Sequence, residues 1–441
     1  MTPETQPAAP LPQAEFAAFI GLDWASKTHV WALEPAAGGR RETAKLESDP
    51  VSIALWAQQL EQRFGGRPIA VALEQKRGAV IWALSQYSHL VLFPVNSTAV
   101  KGYREAFRPS RATDDPYEAG VLLEILRHQP GQLQPWRAES PETRLLQLLV
   151  ERRRDLVDQR TALSNRLTDS LRQTFPQVLD WFDNLRTPIV YDFLDRWPTL
   201  ALMQQESAAT LRDFLSQHRS RLAKAEQRVA AMLDALPATR DEVVLTMATY
   251  DLRWQVQLLR KFHELIQEID QQLEQRTAAH PEYAIFAGLP SAGKAMLPRL
   301  IVAFGTDRSR FASAANLQAF AGIAPVRQQS GKIETITWHR SCPTFLRQTF
   351  VEWAGLSTQQ SPWAKAFYTY QRERGKAHHA AVRALAFKWI RILFRCWMDR
   401  QPYNEAQYQQ RLLVRHAKPS TPSFEWKSCG TFSKPILKKP A

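Results

Sequence analysis

The stretch Phe19-Ile-Gly-Leu-Asp23-Trp-Ala-Ser-Lys27-Thr-His-Val-Trp-Ala-Leu33 decides how the first part of this chain folds. Two apolar runs, at about 17–23 and 28–34, flank a short polar turn, a pattern that predicts two β-strands. Asp23 lies where the first strand ends. Because it interrupts two apolar strands, Asp23 is harder to explain as an ordinary surface acid than the other carboxylates nearby.

Strand and helix signals alternate through the rest of residues 16–130 and predict an α/β sheet domain. A polar stretch follows the second strand. After it, the pattern predicts a helix near 51–64, a strand at 69–74, a helix at 77–87, a strand at 90–95 and a helix at 115–126.

Three more carboxylates stand at comparable places. Glu74 ends the apolar run 69–74, and Asp115 and Glu118 are three apart, so a helix would place them on one face. Phosphodiester chemistry with divalent metal needs hard oxygen ligands from different segments, and two ions about 4 Å apart can stabilise the attacking and leaving oxygens. The set suggests a two-metal nuclease or transposase site for Mg²⁺ or Mn²⁺, although each carboxylate alone is also explained as a surface or helix-capping acid.

Composition points to a polyanionic partner. Lys and Arg number 57 against 43 Asp and Glu, which gives a net charge of +14 and a pI near 9.8, so nucleic acid is the first partner to expect. No apolar window is long enough for a membrane span. Three widely spaced cysteines fit a reducing cytoplasm and exclude a cysteine-based zinc module.

The chain divides into five predicted segments. Residues 1–14 predict a disordered leader, 15–135 the α/β domain, 136–278 a helical coiled-coil region, 279–405 a mostly α-helical domain with a β-like insert, and 406–441 a basic disordered tail. Leu149, Leu156 and Leu163 are one heptad apart on a long helix, and a second apolar stripe runs through about 240–276. Both stripes fit packing within one chain; they also fit a helical hairpin gripped by other subunits, and we expect a dimer or tetramer.

The order of these motifs resembles the DEDD transposases of bacterial insertion sequences, a family that includes the pilin-gene invertases and the bridge-RNA-guided recombinases. The resemblance runs from about 16 to 403 and rests on Gly-Leu-Asp23, Ala-Leu-Glu74 and Asp-Asp115-Pro-Tyr-Glu118-Ala. It implies a RuvC-like, RNase H-like first domain in which these four residues hold metal. At the position of the family's last aspartate, this chain has Glu118. Asp114 is an alternative ligand, but Asp115 keeps the family's three-residue spacing.

A second motif, Ala321-Gly-Ile-Ala-Pro-Val-Arg-Gln-Gln-Ser330-Gly-Lys332, resembles the family's C-terminal Ser-Gly-Lys motif. The resemblance maps the family's serine nucleophile onto Ser330 and implies a DNA substrate, a covalent phosphoserine and a guide RNA. A serine hydroxyl can attack a phosphodiester when its proton is removed, and Arg327 and Lys332 could neutralise the developing charge. Taken alone, Ser-Gly is an ordinary turn.

Other cations are candidate phosphate contacts. Gly288-Leu-Pro-Ser-Ala-Gly-Lys294-Ala295 predicts a helix-hairpin-helix-like turn with backbone amides facing DNA phosphate. Arg340 and Arg347 follow the serine motif and fit either phosphate contact or helix-surface charge.

Two other functions remain open at this point. A RuvC-like junction endonuclease would use metal-activated water, with Ser330 as a structural residue. A noncatalytic DNA- or RNA-binding scaffold would need none of the carboxylates.

Overall fold

The computed structural model divides into two units, with the boundary between residues 138 and 139. It describes residues 16–74, 78–107, 115–128, 133–218, 222–330, 333–338 and 342–416. The predicted leader 1–14 lies outside the described residues. Within the described residues, none of the helices combines the length and the apolar character that crossing a bilayer demands.

The first unit is built on a five-stranded mixed sheet in the order β3-β2-β1-β4-β5. Its elements are β1 (Ala18–Asp23), β2 (Thr28–Pro35), β3 (Glu42–Glu47), α1 (Pro50–Phe64), β4 (Ile69–Leu73), α2 (Ala79–Leu84), β5 (Leu90–Pro94), α3 (Ser97–Phe107) and α4 (Asp115–His128). The strands β1, β2 and β3 are antiparallel, whereas β4 and β5 run parallel to β1. This mixed α/β arrangement is consistent with the expected RuvC-like fold.

Both faces of the sheet are covered. Ile20 and Leu22 of β1 face a core shared with Trp56 and Leu60 of α1 and with α2. The alternate residue Phe19 faces a second core, shared with α4. Burial on both faces explains why β1 and β4 read as continuous apolar runs rather than alternating ones.

Two predicted features of this region differ from the structure. The polar stretch after β2 forms β3, an edge strand whose single buried side chain is Leu46. The helix expected over 77–87 is shorter: α2 begins at Ala79, after Gly78 with φ 135°. The other predicted strands and helices of this unit are confirmed within a few residues.

The second unit is mostly helical. Its elements are α5 (Pro141–Thr174), α6 (Gln177–Trp181), α7 (Pro188–Arg196), α8 (Leu200–Gln204), α9 (Ala208–Gln217), α10 (Leu222–Leu233), α11 (Glu242–Ala278), α12 (Tyr283–Phe286), α13 (Gly293–Phe304), α14 (Ala314–Phe320), β6 (Pro325–Ser330), β7 (Ile333–Trp338), α15 (Thr344–Ser357), α16 (Pro362–Glu373), α17 (His378–Met398) and α18 (Glu405–His416). A short 3₁₀ turn at Arg308–Arg310 precedes α14.

The two long helices of this unit, α5 and α11, pack against each other in antiparallel fashion. Arg153 near the start of α5 bonds to Asp270 near the end of α11, and Gln255 donates to Ser170 Oγ at 3.3 Å. Both predicted leucine-rich helices are confirmed, and the stripe through Leu252 and Leu259 is buried within this one chain. The interpretation as packing within one chain therefore accounts for that stripe.

Each long helix takes part in two hydrophobic cores. The second half of α5 and the first half of α11 bury their leucines in a core that they share with α6 to α10. The opposite ends, with Leu146, Val150 and Leu273, belong to the core of α12 to α17. The structure thus joins the predicted 136–278 and 279–405 regions through shared helices.

The end of the described chain corrects one prediction. Residues 406–416 belong to α18 rather than to a disordered tail. Tyr408 and Leu412 of this helix pack against the C-terminal core, and the Tyr408 ring lies 4.9 Å from that of Trp363. These two contacts hold a segment whose polar composition suggested no structure. The rest of the predicted tail lies outside the described residues.

Candidate active site

Two of the candidate carboxylates lie side by side at one edge of the sheet. Asp23 is the last residue of β1, and Glu74 directly follows β4. These strands are parallel neighbours with Leu22 opposite Leu73. The next residue of each strand is therefore a carboxylate, and neighbouring strands are only about 4.8 Å apart.

A glycine brings the other two carboxylates to the same edge. Helix α4 passes so close to β1 that a Cβ on Gly21 would lie 2.5 Å from Leu123 N, and closer still to the Ala119 carbonyl oxygen. Only glycine allows this approach. Because α4 begins at Asp115, its first turn carries Asp115 and Glu118 toward the end of β1.

The electrostatics of Asp23 show that the four carboxylates act on one another. Burial, together with repulsion from Glu118, Asp115 and Glu74, raises the pKa of Asp23 to about 7. The pKa of Glu74 is raised by burial and by Glu118, and lowered by the nearby Arg104. Strongly perturbed carboxyl groups that share a cause are typical of functional sites.

Arg104, a residue that the sequence did not single out, is the cation in contact with this group. It lies in the last turn of α3, and its Nη1 donates to Glu118 Oε1 at 2.5 Å. Both side chains are partly buried, with 24% of Arg104 and 26% of Glu118 exposed. No local signal marks it, since an arginine near the end of an amphipathic helix resembles surface charge.

The carboxylate oxygens are the donor type that a hard divalent cation takes, but the four side chains do not converge on a single ion position. Their oxygens come from β1, from the residue after β4 and from α4, as Mg²⁺ or Mn²⁺ sites in proteins require. Among the residues that the structure describes, no three His, Cys, Asp or Glu side chains lie close enough to hold one ion as they stand. Asp114, the alternative ligand, is outside that part of the chain.

Ser330 is the last residue of β6, in the second unit. The strand pairs with β7, and Ser330 is opposite Ile333 across the hairpin turn. Arg327 is exposed on the same strand. The β-like insert predicted within the 279–405 domain is therefore confirmed as the antiparallel pair of β6 and β7. Lys332 lies outside the described residues.

The remaining predicted phosphate contacts are distributed over the second unit. Lys294, in the first turn of α13, is exposed and pairs with Glu274 of α11 at 2.7 Å. The loop before it has positive φ at Ser291 and Gly293. Arg347 on α15 lies near Arg383 of α17, whose pKa is lowered first by burial and then by Arg347. Arg340 lies outside the described residues.

Two family models match this chain, and they cover these two groups of residues. One, described as a transposase and named for the DEDD transposase of IS110, matches residues 20–176, which include all four carboxylates. The other, described as the transposase IS116/IS110/IS902 family, matches residues 283–369, which include Ser330.

Known proteins are similar over most of the chain. The "Mini-circle putative transposase for IS117" of Streptomyces coelicolor is 28% identical over 401 residues, 88% of this chain and 95% of the relative. The "Insertion element IS110 uncharacterized 43.6 kDa protein" of the same organism is 25% identical over 86% of this chain and 94% of the relative. The "Pilin gene-inverting protein" of Moraxella bovis is 28% identical over 33% of this chain and 48% of the relative.

Proposed function

Because the chain belongs to the IS110/IS116 family of insertion-element transposases, we propose that it cuts and rejoins the DNA of its own element with a metal–carboxylate group and a serine. The observation that carries this proposal is the meeting of Asp23, Glu74, Asp115 and Glu118 at one sheet edge. Four mutually repelling carboxylates at a strand end are costly unless cations neutralise them.

The four carboxylates would hold Mg²⁺ or Mn²⁺, and a bound ion would supply positive charge to the phosphate oxygens. Glu118 stands where the family has Asp and is one methylene longer. Its carboxylate accepts a hydrogen bond from Arg104, and it is a hard oxygen donor of the type that these ions take.

Ser330 would be the nucleophile. Its Oγ forms a bond to phosphorus, the bond from phosphorus to one deoxyribose oxygen breaks, and that oxygen leaves as a hydroxyl after taking a proton. The Oγ proton goes to a base in the site. The resulting phosphoserine keeps the phosphodiester bond energy for the rejoining step, in which a second DNA hydroxyl displaces Ser330. Phosphates of the DNA or of a guide RNA would be contacted by five cations: Arg327, Lys332, Arg340, Arg347 and Lys294.

A homo-oligomer would complete the site, with carboxylates and serine assembled from more than one subunit. An exposed apolar row on the first half of α11 supports this part of the proposal. The row is formed by Val243, Met247, Tyr250, Trp254 and Leu258. The spacing of three and four residues is that of a helix-packing seam. This row lies on a different side of α11 from the buried stripe.

Ser330→Ala tests the nucleophile directly. The assay uses full-length protein, DNA carrying the element's ends, the co-purified RNA and Mg²⁺. We expect loss of strand cutting and of the protein–DNA adduct that survives denaturation, with Ser309→Ala, an exposed serine of the same unit, as control. Retained cutting without an adduct would instead support a junction endonuclease.

Asp23→Asn tests the metal group. We expect cutting to fall by about 10³-fold or more because the ligand charge is lost. If Asp23→Asn leaves cutting and strand exchange unchanged, the carboxylates are not the active site. If the unaltered protein binds DNA yet never cuts it, with RNA and metal present, the scaffold function is favoured.

A further inference from the structure

The ion pair between Arg104 and Glu118 has no part in the function proposed so far. Arg104 is a fixed cation beside a group of carboxylates that should attract metal. We propose that Arg104 is a positioning residue that engages Glu118 in an ion pair and is displaced from it when the divalent ion binds with DNA. This inference rests on the proposed metal site.

The geometry favours competition over cooperation. The Nη1–Oε1 distance of 2.5 Å engages one of the two oxygens that Glu118 could offer to an ion. Arg104 also acts on Glu74, where its charge partly offsets the rise in pKa caused by burial and by Glu118, so this charge reaches two of the four candidate ligands.

The charges around the Arg104–Glu118 pair explain both why it forms and why a divalent ion can replace it. The carboxylates repel one another, and this repulsion adds to burial in raising the pKa of Asp23. One guanidinium cancels one of these charges when no metal is present. A pair with about three quarters of each side chain covered is stronger than a surface ion pair, but a guanidinium carries half the charge of Mg²⁺ or Mn²⁺. A divalent ion can therefore displace it.

Breaking the Arg104–Glu118 pair costs free energy, and this cost couples metal binding to DNA binding. Without DNA, the ion must break the Arg104–Glu118 pair without compensation, so binding is weak. With DNA, phosphate oxygens add ligands to the ion, and the released guanidinium gains an anionic neighbour. By linkage, metal then raises DNA affinity by the same factor as DNA raises metal affinity. The Arg104–Glu118 pair would therefore keep metal affinity low until DNA binds.

The test compares Mn²⁺ binding to full-length protein by electron paramagnetic resonance, with and without uncleaved element-end DNA. Arg104→Met should tighten Mn²⁺ binding roughly three- to tenfold in the absence of DNA, because one repelling charge and one competing donor are gone. The same change should reduce the enhancement by DNA. Arg104→Lys should stay near the unaltered protein. Lys101→Gln, which removes an exposed cation of the same helix paired with Glu105, should change nothing.

Asp23→Asn separates the two possible failures. If Asp23→Asn weakens Mn²⁺ binding but Arg104→Met leaves it unchanged or weaker, the displacement is wrong while the metal site stands. If neither the unaltered protein nor any variant binds Mn²⁺ with or without DNA, the proposed metal site fails and the inference fails with it. A circular dichroism spectrum and a urea midpoint confirm that each variant is folded.

Discussion

Asp23 lies at the end of a buried strand, among three other carboxylates, and its pKa of about 7 is far above the usual 3.8. Between these two values the folded chain holds a proton that the unfolded chain has lost. Stability therefore falls as pH rises through this window, since the folded protein must ionise a buried carboxyl group. Below pH 3.8 the cost is absent, and above pH 7 it is fully present.

Asp23→Asn should remove this cost and stabilise the metal-free protein. We expect a gain near zero at pH 4 that grows to about 2 kcal/mol at pH 8, half of what a three-unit shift would give without solvent screening. Urea midpoints in EDTA at both pH values measure it. Glu105→Gln, an exposed acid on α3, should show no such trend. An equal gain at both pH values would contradict the prediction.

The sequence predicts the four carboxylates from the positions of Asp23, Glu74 and Asp115 and from the three-residue spacing between Asp115 and Glu118. Asp23 and Glu74 end apolar runs, and Asp115 begins a helix. It does not identify Arg104, because the contact with Glu118 spans fourteen residues and depends on how α3 and α4 pack. Ser330 is identified by resemblance, since a serine before glycine has no distinctive pattern of its own.

At the scale of elements, the approach of α4 to β1 over Gly21 decides whether the carboxylates meet. Gly21→Ala should destabilise the first unit by about 3 kcal/mol, because the new methyl group would overlap the α4 backbone. Gly102→Ala is the matched control: it is helical, has open space around it, and should stabilise by about 0.5–1 kcal/mol. Urea denaturation measures both.

Gly21→Ala should also abolish DNA cutting even where the variant remains folded, since α4 and with it Asp115 and Glu118 must move. Full cutting by a folded Gly21→Ala variant would show that this helix does not supply the site.

The two sides of α11 give another matched pair. Leu259 is fully buried in the core formed by α5 to α11, whereas its neighbour Leu258 is 46% exposed on the apolar row. Leu259→Ala should cost about 3 kcal/mol in urea denaturation. Leu258→Ala should cost less than about 0.5 kcal/mol in the isolated subunit, but should weaken the oligomer measured by sedimentation. An unchanged oligomer in Leu258→Ala would remove the row from the proposed interface.

Elements with a strong apolar pattern are predictable, and those without one are not. The runs of β1, β4 and β5 are buried on both faces and are evident in the sequence. β3 has one buried residue, Leu46, and lies at the sheet edge, so nothing in its composition separates it from a loop. For the same reason α18, anchored by Tyr408 and Leu412, resembles a polar tail.

At the scale of the whole molecule, net charge predicts how binding responds to salt. Residues 417–441 hold five lysines and one glutamate, so their removal lowers the net charge from +14 to +10. Deleting them should reduce the slope of log affinity against log salt by no more than about 4 and leave cutting at the element's ends intact. Filter binding across a salt series measures the slope. Loss of cutting at low salt would show a specific role for this segment.

The shared helices α5 and α11 have a mechanical consequence. Each helix packs into two separate hydrophobic cores, so neither core can rotate unless the helix pair moves with it. A helix of 34 residues is about 50 Å long, and a tilt of only about 5° at one end moves the other by about 4 Å. The helix pair is therefore stiff, so a small rotation of the core of α6 to α10 is carried, enlarged, to the core next to the Ser330 hairpin.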